Sequence, residues 1–204
     1  MLEVSKLGCV RGDRKLFAGV NFSLGPGTFM QLTGPNGSGK TSLLRIICGL
    51  LAPEEGEVRW RGANIRSLGE EYFADLSYVG HRNGLKEELS PLENLLISSG
   101  LSGTKITRPE GHAILNRMGL AGRESLAARL LSEGQRRRAA LARLLASGTR
   151  LWLLDEVLAS LDKAAIALMK VFIEEHVSKG GIAIVATHQE IDLSAGSFQR
   201  LELA

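Results

Sequence analysis

The spacing of apolar residues along this chain changes character twice. Up to residue 79 they come in short clusters separated by glycine turns, which predicts strands over 2–7, 20–24, 29–33, 57–60 and 76–79. Leu50-Leu51-Ala52-Pro53-Glu54-Glu55-Gly56 reads as a helix exit, because proline and glycine continue helices poorly. From Ser90-Pro91 to about Ala146 the spacing becomes helical, with helices expected over 91–98, 109–118 and 134–146. Pro91 and Pro109 fall in first turns, where a missing N–H costs nothing. The last third alternates: an apolar strand over 151–154, a helix over 162–178, a strand over 182–186. Alternation around apolar strands predicts an α/β fold, a mostly parallel sheet covered by helices with the helical middle third inserted as a lobe. One domain over 1–204 is expected, with the lobe over 84–146.

Composition narrows the class. Of 204 residues, 44% are hydrophobic and 23% charged, values typical of a soluble globular protein. No run approaches the length of a membrane span, and Met1-Leu2-Glu3-Val4 lacks a signal-peptide pattern, so a cytoplasmic chain is expected. Cys9 and Cys48 match no metal spacing, and Cys48 reads as buried packing. A net charge of +3 is too small to argue for nucleic acid. The triplet Arg136-Arg137-Arg138 reads as a solvated helix face or a docking surface.

The candidate chemistry starts at Gly34-Pro35-Asn36-Gly37-Ser38-Gly39-Lys40-Thr41, which fits the phosphate-binding pattern G-x-x-x-x-G-K-[ST]. Its glycines permit conformations a Cβ forbids, and they let backbone N–H groups approach phosphates. Lys40 would reach the β- and γ-phosphates, and the Thr41 hydroxyl would bind Mg²⁺. A predicted strand precedes the loop, and a helix expected over 42–51 follows it, pointing its N-terminal partial charge at the anion. A nucleoside triphosphate is the expected ligand, with Ser42 included in its site.

Leu151-Trp152-Leu153-Leu154-Asp155-Glu156 is an apolar strand ending in two carboxylates. Ligands bind at the C-terminal ends of parallel strands, where Asp155 can hold Mg²⁺ and Glu156 can orient and deprotonate an attacking water. Taken alone, the pair could equally be a strand cap and a solvated acid; the phosphate loop favours the catalytic reading.

Leu131-Ser132-Glu133-Gly134-Gln135 stands at the start of the arginine-rich helix, about twenty residues before Asp155. Ser132 and the helix N-terminal amides can form a second anion site. Here the chain resembles the ATP-binding-cassette (ABC) ATPases, whose signature L-S-G-G-Q clamps the γ-phosphate held by the opposite subunit. The resemblance implies a P-loop fold with an N-terminal antiparallel β subdomain and an inserted helical subdomain. It assigns trans contacts to Ser132, Glu133, Gly134 and Gln135, and a D-loop to Ala159-Ser160-Leu161-Asp162, in which Asp162 couples subunits. It makes His188 the switch histidine at the γ-phosphate, alongside Lys40 and Glu156 as catalytic groups. His81 occupies the position where most members carry a Mg²⁺-sensing glutamine.

Several segments, among them Tyr78-Val79-Gly80-His81-Arg82-Asn83-Gly84 and Ala186-Thr187-His188-Gln189, resemble the haem-exporter ATPases of bacterial cytochrome c maturation. That resemblance implies a homodimer of ATP-hydrolysing subunits that works on separate membrane subunits. It implies a peripheral location on the cytoplasmic face of the bacterial inner membrane, haem export or a related step as the task, and the helical lobe as the dock. Transport of another substrate, or a soluble non-transport ABC ATPase, is the alternative. A GTPase is disfavoured because the guanine-reading N-K-x-D is missing.

Three departures stand out. Glu133 replaces the usual glycine or alanine. Its carboxylate either faces the γ-phosphate, where each like-charge pair at ~6 Å costs roughly 3 kcal/mol at an effective dielectric of ~20, or points to solvent. Val157 replaces the usual proline after the catalytic glutamate. Arg11 stands where many relatives stack an aromatic ring on adenine; its guanidinium either stacks there or is a solvated loop residue.

Overall fold

The computed structural model describes residues 1–159, 161–194 and 196–204. Its elements in chain order are β1 (Leu2–Arg11), β2 (Arg14–Leu24), β3 (Thr28–Thr33), α1 (Lys40–Ile47), β4 (Glu55–Trp60) and β5 (Ala63–Asn64). They continue with α2 (Ile65–Leu68), α3 (Glu70–Ala74), β6 (Leu76–Val79), α4 (Pro91–Leu101), α5 (Arg108–Arg117) and α6 (Glu133–Ser147). The last are β7 (Leu151–Asp155), α7 (Lys163–Ser178), β8 (Ile182–Ala186) and β9 (Ser197–Glu202).

The strands form two sheets. One is antiparallel, ordered β2-β1-β4-β5; the other is parallel, ordered β6-β7-β8-β3-β9. Strands β7 and β8 are buried along their whole length, which is why their sequences are apolar without alternation. Successive side chains still point to opposite faces. Trp152, Leu154, Ala183 and Val185 pack towards α4, α5, α6 and α7. Leu151, Leu153, Ile182 and Ile184 pack on the other side, with α1 and the antiparallel sheet. The parallel sheet is thus the shared wall of two cores. Helix α1 lies within the second core, burying Leu43, Leu44, Ile46 and Ile47.

The three helices α4, α5 and α6, which the chain inserts between β6 and β7, start with the same device. Ser90 caps α4 with Glu93, Thr107 caps α5 with Glu110, and Ser132 caps α6 with Gln135, each as a reciprocal capping box. Leu92, Leu95, Leu115, Leu141 and Leu144 then bring the three helices together in the first core.

Some elements differ from the sequence expectation. The helix after the glycine loop begins at Lys40 and stops at Ile47, because the chain turns at Gly49 with φ 76°. Strand β1 runs on to Arg11 through an irregular register beside Lys6, whose φ is 50°. That irregularity keeps both Val4 and Leu7 buried despite their odd spacing, so simple alternation loses the strand. Helices α2 and α3 and strand β9 were not expected. Strand β9 is almost wholly exposed and reads as polar, yet it pairs with β3 from Thr28↔Ser197 to Thr33↔Glu202. Among the described residues no helix is long and apolar enough to cross a membrane.

Candidate active site

The glycine loop links the C-terminal end of β3 to α1. Gly34 has φ 140°, and a Cβ there would strike the Leu203 backbone. Gly39 has φ 102°, and a Cβ would lie 2.9 Å from the Phe17 ring. Both positions therefore demand glycine on two counts, backbone angle and space. Gly39 also stands at the N-cap of α1 and offers no side-chain acceptor, so the first helical N–H groups have no side-chain cap. The Ser38 hydroxyl is buried and has no hydrogen-bond partner within the described chain.

Three segments meet at this loop. From α1, Lys40 Nζ donates to the carbonyls of Gly34 (2.8 Å) and Pro35 (3.1 Å) and lies 4.0 Å from Glu156 Oε1. From the end of β7, Asp155 Oδ1 accepts from the Thr41 hydroxyl at 3.1 Å, and Oδ2 accepts from the Tyr78 hydroxyl at 3.3 Å. From the end of β8, His188 Nε2 lies 3.0 Å from Asn36 Oδ1, 3.4 Å from Lys40 Nζ and 3.6 Å from Glu156 Oε1. Glu156 holds a φ of 52°, rare for a residue with a Cβ, and its N–H donates to the Ala186 carbonyl. Burial and the nearby Asp155 charge raise the Tyr78 pKa, so the phenol stays protonated and keeps its donor role.

An open cleft of about 670 Å³ runs from this cluster along the glycine loop. Arg11, Ser42, His81, Glu156 and His188 line it. So do Arg14 and Leu16, which the sequence reading missed; Arg14 Nη1 would be 3.7 Å from a Cβ on Gly37. Tyr78 was missed as well, since nothing near it in sequence reveals the aspartate it touches.

The signature residues lie elsewhere. Ser132 accepts from Gln135 N at 3.2 Å, and the Gln135 side chain accepts from Ser132 N at 3.0 Å. Neither these two nor Gly134 lines the cleft of the glycine loop. The Glu133 carboxylate folds onto Arg136 (2.8 and 3.1 Å) and Asn83 (2.9 Å), and these hydrogen bonds, Arg136 first, lower its pKa. Asp162 caps α7 by accepting from Ala165 N at 2.8 Å; its D-loop neighbour Ser160 lies outside the described residues. The reading of Arg136–Arg138 as a solvated face needs correction: Arg137 is only 2% exposed, because its guanidinium finds carbonyl acceptors inside the fold.

A glycine loop, a metal-type aspartate, a glutamate and a histidine at adjacent strand ends define a nucleotide-hydrolysing class. Residues 17–159 match the ABC transporter family, and the chain belongs to it. It is an ABC-type ATPase. Among curated relatives, the cytochrome c biogenesis ATP-binding export protein CcmA of Nitrosospira multiformis is 54% identical, covering 99% of this chain and 98% of that protein. The protein of the same name from Nitrosomonas europaea is 49% identical, covering 100% and 96%. A bacterial ABC transporter cassette solved as a dimer superposes with a TM-score of 0.85 at 24% identity over 99% of this chain and 94% of that one, a likeness of fold.

Proposed function

We propose that this chain is the ATPase subunit that powers an export step in cytochrome c biogenesis, with haem or a haem-linked species as cargo. The observation that carries the ATPase part is the meeting at the glycine loop of Lys40, Glu156 and His188, with polar atoms 3.4–4.0 Å apart, and of the Thr41–Asp155 pair at 3.1 Å. In this reading residues 34–42 wrap the phosphates, and Lys40 exchanges its loop carbonyls for β- and γ-phosphate oxygens. Arg11 and Arg14 face the base and sugar. Glu156 accepts the proton of the attacking water, and His188, tethered to Asn36, holds the γ-phosphate and the carboxylate in register.

The metal fits the donor set: Thr41 and Asp155 are hard oxygen ligands 3.1 Å apart, few enough to leave places for phosphate and water. Mg²⁺ held there would neutralise charge on the β- and γ-phosphates. Ser132, Gly134 and Gln135 serve the nucleotide of a second copy, a reading supported by their placement away from this chain's own cleft. The homodimer then acts on separate membrane subunits at the cytoplasmic face of the inner membrane, docked through the helices over 84–146. The cargo comes from the relatives' name, not from any haem ligand here.

Glu156→Gln tests the chemistry. It should cut turnover by roughly 10²–10⁴, the worth of a positioned general base, and leave ATP binding intact. Hydrolysis at the parent rate would remove Glu156 from its role. Lys40→Ala should instead weaken nucleotide binding. A mixture of Ser132→Arg and Lys40→Ala subunits, each inactive alone, should recover part of the activity through one intact composite site. For the cargo, the parent gene should restore haem-stained c-type cytochromes in cells lacking their own ATPase of this kind, and Lys40→Ala should not. An active ATPase that fails this complementation would sink the cargo alone.

A further inference from the structure

Arg137 has no place in the site described above, yet it is among the most buried side chains of the molecule. It sits in α6, one turn beyond the capping residue Ser132. Its Nη1 donates to the Gly80 carbonyl (2.9 Å), the Asn83 side-chain oxygen (3.1 Å) and the His81 carbonyl (3.3 Å). Its Nε donates to the Val157 carbonyl at 3.3 Å. One guanidinium therefore joins three segments: the helix behind the signature, the loop that leaves β6 and carries His81, and the turn immediately after Glu156.

The loop is gripped at further points by the same helix. Arg143 Nη2 donates to the Asn83 carbonyl at 3.0 Å, and Asn83 Nδ2 donates to Glu133 at 2.9 Å. A guanidinium buried among neutral acceptors is costly, and a Met or Leu would fill the volume more cheaply. Burial also pulls its pKa down, the expected sign for a charge stripped of water. What the arginine provides that an apolar residue cannot is a fixed, forked set of donors. Its target, Val157, follows a residue held at φ 52°, a conformation that persists only if its neighbours impose it.

We infer that Arg137 is a positioning residue for hydrolysis: it fixes the Glu156 turn and the His81 loop to α6, so that a ligand seated at the N-terminus of α6 sets the geometry of the general base. The inference rests on the proposed role of Glu156. It calls for a specific kinetic pattern: Arg137 does not itself line the nucleotide cleft and reaches it only through the backbone of His81, so its loss lowers kcat and spares binding.

The test uses full-length Arg137→Met, Arg137→Lys and Asn83→Ala, with Glu156→Gln as control. Steady-state ATP turnover and ATP affinity of the isolated subunit are measured for each. Arg137→Met should lower kcat about 10- to 100-fold, the cost of misplacing a catalytic group by about an ångström, with ATP affinity within about twofold of the parent. Arg137→Lys, which can satisfy only part of the acceptor set, should fall between the two. Parental kcat in Arg137→Met, or a raised KM with kcat unchanged, overturns the inference. If Arg137→Met does not fold, Asn83→Ala decides: a loss of about threefold or more in kcat at unchanged affinity is expected, and parental kcat overturns the inference. If Glu156→Gln itself turns over like the parent, the underlying assignment fails. If Glu156→Gln is inactive while Arg137→Met matches the parent, only the positioning role fails.

Discussion

Asp155 carries a hydrogen-bond donor on each oxygen, Thr41 on one and Tyr78 on the other. Tyr78→Phe removes the second donor and leaves the carboxylate freer to rotate. Half-maximal ATPase should then need roughly three- to tenfold more Mg²⁺, the worth of about one hydrogen bond; a metal titration reads this, and nucleotide binding without metal should not move. Of the two readings of Glu133, facing the γ-phosphate or solvent, the contacts favour the second, because Arg136 and Asn83 hold its carboxylate at the surface. Its side chain is 60% exposed, so Glu133→Gln should change turnover by less than about twofold at low salt. A larger acceleration would show that the carboxylate swings onto the γ-phosphate. The loop residues Gly34 to Thr41 were legible because their chemistry is written in eight consecutive positions. Arg137 and Tyr78 were not, because their partners stand tens of residues away, Gly80 at a separation of 57 and Asp155 at 77. An arginine between two arginines carries no local mark of burial.

Whole elements were legible where one pattern governed them. Strands β7 and β8 are apolar up to the carboxylate that ends β7 because both faces are covered, and α4 and α5 each carry a proline in the first turn. Strand β9 obeys no such rule; it is an edge strand with water on most of its side chains, and pairing with β3 alone defines it. The caps allow a control at this scale. Ser90→Ala should cost about 1 kcal/mol in denaturant unfolding and leave turnover per folded molecule unchanged, whereas Ser132→Ala should cost a similar amount and also lower turnover. The contact of α7 with β7 gives a pH dependence. His176 stacks on Trp152 with centroids 3.9 Å apart and planes 8° apart, and burial lowers its pKa from 6.5. As pH falls through 6.5 the unfolded chain takes up a proton before the folded chain does, so this part of the stability is full above 6.5 and declines below it. His176→Phe keeps a flat ring and loses the titration. Its Tm should drop less than the parent's between about pH 7.5 and about pH 5.5, and an equal drop would exclude His176 as the source.

At the scale of the molecule, α/β alternation fixed the parallel sheet, while the antiparallel sheet was reached only through resemblance, since β1 and β2 break their own alternation at bulges. One chain presents the glycine-loop cleft and the signature helix at separate places. A second copy is needed to bring them together in the proposed cycle. Glu156→Gln should therefore elute as a dimer in ATP and as a monomer without it, and a monomer in both conditions would count against the shared site. The support beneath Gly34 has a consequence in time. The loop rests on the Leu203 backbone, and the Leu203 N–H donates to the Thr33 carbonyl at 2.9 Å. At about 5–20 residues per second, the roughly 170 residues between them take on the order of ten seconds to synthesise. For most of that interval the emerging chain displays its phosphate loop but lacks β7 and β8, which lead to Asp155 and His188, and to its end the chain lacks the loop's own floor. Nucleotide capture is thus among the last properties the nascent chain acquires, and ribosome-bound chains halted before residue 197 should fail to retain ATP.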